Sequence, residues 1–352
     1  MSAQYWHGEA DGRVACEVCP RRCVLREGQR GFCFVRRNVG GRLELSSGPQ
    51  GFCVDPVEKK PLYHVAPGSS VLSFGTVGCN LRCRFCQNWE LSAARELPAG
   101  GARPQGTGAA ALPSAQEIAS MAVAQGCRGV AYTYNDPVIF AEYAMEVAAA
   151  SRELGLLNIA VTAGFINPEP RSGFFGVMDA ANVDLKSLSA DFYRRVVGGR
   201  VEVVQDTLRY LVHETTVWVE VTTLVIPGYN DSDASLTEVA EWIAGDLGVD
   251  VPWHVSAFHP AHRMMDVPRT PASTLRRARK LGILAGLRYV YVGNVWVREG
   301  ATTFCPGCAQ ALITRDGYAV REYSLTPAGQ CEFCSHPIPG LWAPPDLREV
   351  SA

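Results

Sequence analysis

Between residues 70 and 300, short apolar runs alternate with stretches of helical periodicity. The runs are Val71–Thr76, Gly129–Tyr134, Asn158–Ala163, Asn182–Lys186, Val217–Ile226, Trp253–Phe258 and Tyr289–Val295. Each is short enough for a strand and apolar enough to be covered on both faces. Helix signals fall between several of them. Ser114 and Glu117 form a capping box ahead of Ile118, Met121 and Ala122. Ser235 and Glu238 repeat that signal, with Leu236, Val239, Ala240, Ile243 and Leu247 at helical spacing, and Thr270-Pro271 reads as an N-cap followed by proline at the first helical position. Strands alternating with helices predict an α/β fold with a parallel sheet and right-handed crossovers. Seven strands suffice for a barrel or partial barrel, whose chemistry sits at the C-terminal strand ends. One stretch breaks the rhythm. Arg95–Pro113 is rich in Gly, Ala and Pro without periodicity, which predicts a lid or a disordered loop.

The chain has 352 residues, enough for two domains or one barrel with appendages, and can bury a core without disulfides. Lys+Arg 33 against Asp+Glu 35 gives net charge −2, which argues against a nucleic-acid coat or a polybasic membrane anchor. No apolar run reaches the ~18 residues of a membrane span. The opening MSAQYWHGEADGR lacks the apolar core of a secretory signal. The 13 cysteines therefore point to a reducing, cytoplasmic setting and to metal chemistry.

Those cysteines are grouped. Cys16, Cys19, Cys23 and Cys33 lie near the start, Cys79, Cys83 and Cys86 in one short loop, and Cys305, Cys308, Cys331 and Cys334 near the end; Cys53 and Cys127 are left over. The expected layout is an N-terminal four-cysteine module (1–50), a central barrel (65–300) and a C-terminal zinc-ribbon-like module (301–352). Two Cys-x2-Cys knuckles at the C-terminus are a zinc signal. The N-terminal set is a four-ligand group for zinc or for an auxiliary iron–sulfur cluster.

The central loop directly follows the first strand as GTVGCNLRCRFCQNW. Its Cys-x3-Cys-x2-Cys spacing can hold three irons of a 4Fe–4S cluster and leave the fourth open. A structural zinc completed by Cys53 or Cys127 is the plainer alternative, but zinc spacings are normally paired. CNLRCRFC, with Phe85 before the last cysteine, resembles the signature of the radical S-adenosylmethionine (SAM) enzymes. The phrases DPVEKKPLYHVAPGS, AYTYNDPVIFAEY, VDLKS, VEVTTLVIPGYNDS, PWHVSAFHP and YVYVGN extend the likeness across most of the barrel. Together they resemble the radical SAM member of the AmmeMemoRadiSam system, related to pyruvate formate-lyase activating enzymes.

That resemblance implies a partial (β/α)6-type barrel, a 4Fe–4S cluster on Cys79, Cys83 and Cys86, and SAM chelated to the open iron. It also implies reductive SAM cleavage to a 5′-deoxyadenosyl radical that abstracts hydrogen from substrate. Expected cofactor contacts are Phe85, Asn135, Asp136, Asp184, Lys186 and His254. Asp136 stands where relatives carry a glutamate, and an Asx-type turn before Pro137 is its structural alternative. Asp184 and Lys186 share a strand face, and a plain ion pair at the barrel mouth is theirs. His259 and His262 read as polar wall or substrate contacts, and Asn294 as a pocket candidate. Thr162-Ala163-Gly164 departs from the relatives' Thr-Asn-Gly, so no contact is carried to it. The implied partners are a low-potential electron donor, flavodoxin or ferredoxin, with Memo-type and AMMECR-type proteins. A glycyl-radical activase is the alternative within this chemistry. Outside it stand an electron carrier and a zinc-ribbon adaptor or nucleic-acid-binding protein with a non-catalytic barrel. The net charge and the intact cysteine triplet speak against the adaptor. The substrate is not legible, because one barrel hosts many reactions.

Overall fold

The computed structural model describes residues 2–94 and 113–342. Its centre is one eight-stranded sheet: β1 (Gln50–Pro56), β2 (Ser70–Gly75), β3 (Gly129–Tyr132), β4 (Leu157–Thr162), β5 (Ala180–Asp184), β6 (Trp218–Val225), β7 (Trp253–Ala257) and β8 (Val290–Gly293). Spatial order follows chain order, from β1 at one edge to β8 at the other. Strands β2 to β8 pair in parallel, and β1 pairs antiparallel with β2. The crossover helices are α1 (Ala115–Ala124), α2 (Ala141–Glu153), α3 (Pro168–Phe175), α4 (Val201–Glu214), α5 (Asp233–Trp242) and α6 (Ala272–Leu284). The protein is thus an α/β partial barrel, open between β1 and β8.

The predicted strands agree with β2 to β8 to within a few residues. Strand β1 escaped the pattern because QGFCVDP lies half exposed at the sheet edge with a register shift between Gln50 and Cys53, so it shows no apolar alternation. The Ser114–Glu117 capping box forms as read: Ser114 Oγ accepts from Glu117 N at 3.2 Å, and Glu117 Oε2 accepts from Ser114 N at 2.7 Å. Two helix starts are corrected. Helix α5 begins three residues earlier than expected, capped by Ser232, whose hydroxyl accepts from Ser235 N. Thr270 does not cap α6. Its hydroxyl donates to Val225 O at 2.6 Å and accepts from Phe258 N at 3.0 Å, stitching the ends of β6 and β7. The Arg95–Pro113 stretch lies outside the described residues except for Pro113.

The segment between β1 and β2 floors the barrel, where Val57, Leu62 and Val65 pack on Val71, Ala131, Ile159 and Ala180. Small sheets flank the barrel at both ends of the chain. Strands Trp6–Gly8, Val14–Cys16 and Val24–Leu25 form one, with the hairpin Arg36–Val39/Arg42–Leu45 beside it. Strands Thr303–Phe304, Ala311–Asp316 and Ala319–Tyr323 form the other. A buried arginine ties each to the barrel. Arg36 grips Glu142 on α2 through both guanidinium nitrogens, at 3.0 and 2.5 Å, and donates to Ile139 O. Arg315 pairs with Glu58 at 3.4 Å and donates to Tyr63 O at 2.8 Å.

Candidate active site

Residues at the C-terminal ends of the parallel strands surround a cavity of about 380 Å³. Cys79, Cys83 and Cys86 face it from the loop after β2, with Phe85 beside them. Asn135 and Asp136 enter from β3, Thr162 from β4, Asp184 and Lys186 from β5, Thr222 and Leu224 from β6, and Ser256 from β7. Pro61 forms the floor, held by a 2.8 Å hydrogen bond from Asn182 Nδ2 to its carbonyl.

The cysteine loop is shaped by its backbone and by Asn80, whose Nδ2 donates to Phe165 O at 2.9 Å. Gly78 has φ +93°, and a Cβ there would meet the carbonyl oxygen of Cys33 at 1.9 Å. Asn135 Nδ2 donates to Thr76 O and to Gly78 O, each at 2.7 Å, and Asn135 Oδ1 accepts from Thr76 N at 3.3 Å. Asn135 therefore spends its amide on bracing this loop. Arg82 and Arg84 tie the other side, each donating its backbone N–H at 2.9 Å, to Val197 O and Val196 O. Burial pushes the Cys83 thiol up to about 12 and raises Cys79 further. Thiols so disfavoured as free anions gain most from a metal that neutralises them.

Asp136 is buried at the cavity wall. Its Oδ1 accepts from Thr162 Oγ1 at 2.6 Å, while Oδ2 is buried without a hydrogen-bond partner. Burial raises its pKa, opposed by the Thr162 hydroxyl. An orphaned carboxylate oxygen at a cavity wall is the site a cationic N–H donor would satisfy. Lys186 Nζ stands 2.8 Å from Asp184 Oδ2 and 5.5 Å from the Phe85 ring centre. Burial works against its charge, but Asp184 and Cys83 outweigh it and hold its pKa above the usual lysine range.

Expected as a cofactor contact, His254 stands apart from the residues that line the cavity. It lies one inward-facing layer below Ser256 on β7, beneath the floor segment, and does not line the cavity. Its Nε2 donates to Glu220 Oε2 at 2.6 Å, and the Tyr63 ring packs edge-on at 4.9 Å. Glu220 also accepts from the backbone N–H groups of Tyr63 and His64, so the pair clamps the floor. The other histidines diverge as well. His259 lines a neighbouring cavity, and His262 stacks on Trp89 at 5.6 Å. Asn294 borders both cavities while donating to Ala257 O at 3.2 Å.

Sequence reasoning missed a charged group beside the cavity floor. Asp55 accepts from Lys59 at 2.7 Å, from Lys60 at 2.6 Å and from Tyr134 Oη at 3.3 Å, and Lys60 and Tyr134 line the cavity. The phrase DPVEKKP carried the signal, but only pairing of β1 with β2 brings Asp55 to the site.

Residues 74–240 match the model of the radical SAM superfamily. MJ0808 of Methanocaldococcus jannaschii, described as an uncharacterized protein, is 37% identical over 342 residues, spanning 96% of this chain and 98% of that one. The chain belongs to the radical SAM superfamily. Among solved structures, it resembles a domain of a pyruvate-formate lyase-activating enzyme from Bacteroides vulgatus at 14% identity, covering 47% of this chain and 99% of that chain with TM-score 0.42. It also resembles Streptococcus suis SuiB bound to S-adenosylmethionine at 13% identity, covering 67% of this chain and 52% of that chain with TM-score 0.45. Radical SAM membership implies a 4Fe–4S cluster and SAM, and the residues present fit both. Three cysteines share one cavity wall, and Asp136 lines the cavity beside them. At the other end of the chain, Cys305, Cys308, Cys331 and Cys334 bring their sulfurs within 4.8 Å of one another, which suits one tetrahedral ion. Among the described residues no helix is long and apolar enough to cross a membrane.

Proposed function

We propose that this protein is a radical SAM enzyme that cleaves S-adenosylmethionine reductively, with Cys79, Cys83 and Cys86 as its cluster ligands. The single observation that carries this reading is the buried, unpartnered Oδ2 of Asp136 in the cavity that the three cysteines face. When bound, the reduced cluster and SAM supply a 5′-deoxyadenosyl radical able to take hydrogen from a substrate. The chain's own residues do the rest. Asp136 accepts the amino group of SAM, and Thr162 holds the carboxylate in its rotamer. Asn135 and Gly78 hold the cysteine loop in place. Lys186, fixed by Asp184, presents a cation to the carboxylate or ribose of SAM. The floor at Pro61 and the Glu220–His254 clamp beneath it close the barrel's N-terminal end to water, protecting a reactive intermediate.

The shared phrases along the barrel support placement with the AmmeMemoRadiSam proteins, with Memo-type and AMMECR-type proteins as partners and a cytoplasmic flavodoxin or ferredoxin as electron donor. The compact C-terminal cysteines support a structural zinc. The test is anaerobic reconstitution, reduction and product analysis. Stoichiometric 5′-deoxyadenosine and methionine are expected; fully iron-loaded protein that yields no deoxyadenosine above a cluster-free control overturns the reading.

A further inference from the structure

We propose that Cys16, Cys19, Cys23 and Cys33 hold a second iron–sulfur cluster, of the cubane type, rather than zinc. The argument starts from a contrast between the two four-cysteine sets. At the C-terminus the sulfurs of Cys305 and Cys334 lie 3.5 Å apart and those of Cys308 and Cys331 3.7 Å apart. Four thiolates at about 2.3 Å around a tetrahedral zinc stand about 3.8 Å from one another, so this set is gathered around a point. The N-terminal four are arranged differently. They line one enclosed cavity together with Val18, Phe32 and Ile139. Yet among the described residues no three of them bring their sulfurs within 4.8 Å of one another. They surround a space rather than a point. A cubane places each thiolate on a separate iron at its own corner, so its ligands stand wider apart than the ligands of a single ion.

The lining supports a thiolate-bound group of that kind. Phe32 N donates to Cys23 Sγ at 3.4 Å. Such N–H···S bonds stabilise charge on cluster sulfurs and help set the potential. Arg36 lines the same cavity while its guanidinium is paired with Glu142, which fixes the module to the barrel beside the four cysteines. The module is also joined to the loop bearing the first cluster. Cys33 O packs on Gly78, and Arg21 Nε donates to Asn80 O at 3.0 Å, so the two cysteine sets meet on either side of Cys79.

The test counts metal and does not depend on SAM cleavage, so its failure and that of the proposed activity are separable. Full-length protein, reconstituted anaerobically, should carry about eight irons with equal acid-labile sulfide, against about four for a single cluster. The triple variant Cys79→Ala/Cys83→Ala/Cys86→Ala should keep about half of that iron, and Cys19→Ala/Cys33→Ala should lose the same share. Wild-type protein with about four irons and two zincs overturns the proposal, as does a triple variant that is iron-free with two zincs. If the triple variant does not fold, the wild-type count decides alone.

Discussion

The carbonyl oxygen of Cys33 occupies the place where a side chain on Gly78 would begin, 1.9 Å from the position of its Cβ. The N-terminal module and the cysteine loop of the barrel are therefore in backbone contact, and the glycine is what permits it. Gly78→Ala should push these two apart. The positive φ of +93° adds strain to the clash. Expected results are lower iron occupancy on reconstitution and a lower melting temperature. Unchanged iron content and melting temperature would show that the contact is dispensable.

Arg36 and Glu142 form the buried pair that holds that module to α2, with side-chain exposures of 2% and 3%. Replacing Arg36 by Met leaves a buried carboxylate with Gln4 N as its remaining donor among the described residues. Breaking such a pair costs about 3–5 kcal/mol, and removing both charges costs less. Urea unfolding should show Arg36→Met well below wild type and Arg36→Met/Glu142→Leu between the two. A single variant with wild-type stability would refute the clamp.

Asp136→Ala should weaken SAM binding by about 1–3 kcal/mol, the loss expected for a hydrogen bond to a charged group. Iron loading should be unchanged, because no thiolate is touched. Calorimetric titration and iron analysis of reconstituted protein measure the two. Unaltered SAM affinity would assign Asp136 to the turn before Pro137.

Stability should fall on mild acidification through His64. Its Nδ1 donates to Pro339 O at 2.7 Å, so Nε2 accepts from Tyr291 Oη, also at 2.7 Å. Burial lowers its pKa to about 4 from 6.5. The unfolded chain thus binds the proton first, and stability present above about pH 6.5 is lost as pH falls towards 4. Melting temperatures measured from about pH 7 to 4 should decline, with a shallower slope in His64→Asn. Equal slopes would remove His64 from the account.

Cys308→Ser should release one zinc and lower thermal stability while leaving iron in place, because closed tetrahedral sites couple to folding. Metal analysis reads this directly. Loss of iron in place of zinc would mean that the C-terminal set also carries a cluster.

Sequence alone determined what depends on neighbouring residues. Seven apolar runs and the capping box at Ser114 report local backbone preference, and the Cys79–Cys83–Cys86 spacing places three thiolates on one loop whatever the fold around it. Tertiary structure decided everything that joins distant segments. His254 reads as a cavity residue by its phrase, but Glu220 on the adjacent strand and Tyr63 from the floor hold it a layer below. Asp136 and Thr162 are 26 residues apart and meet only because β3 and β4 pair in parallel. The two four-cysteine sets differ in spacing, but spacing alone does not say what each surrounds. Only packing gathers one around a point and opens the other around a space, because sulfur positions follow the backbone that carries them and not the residue count between them.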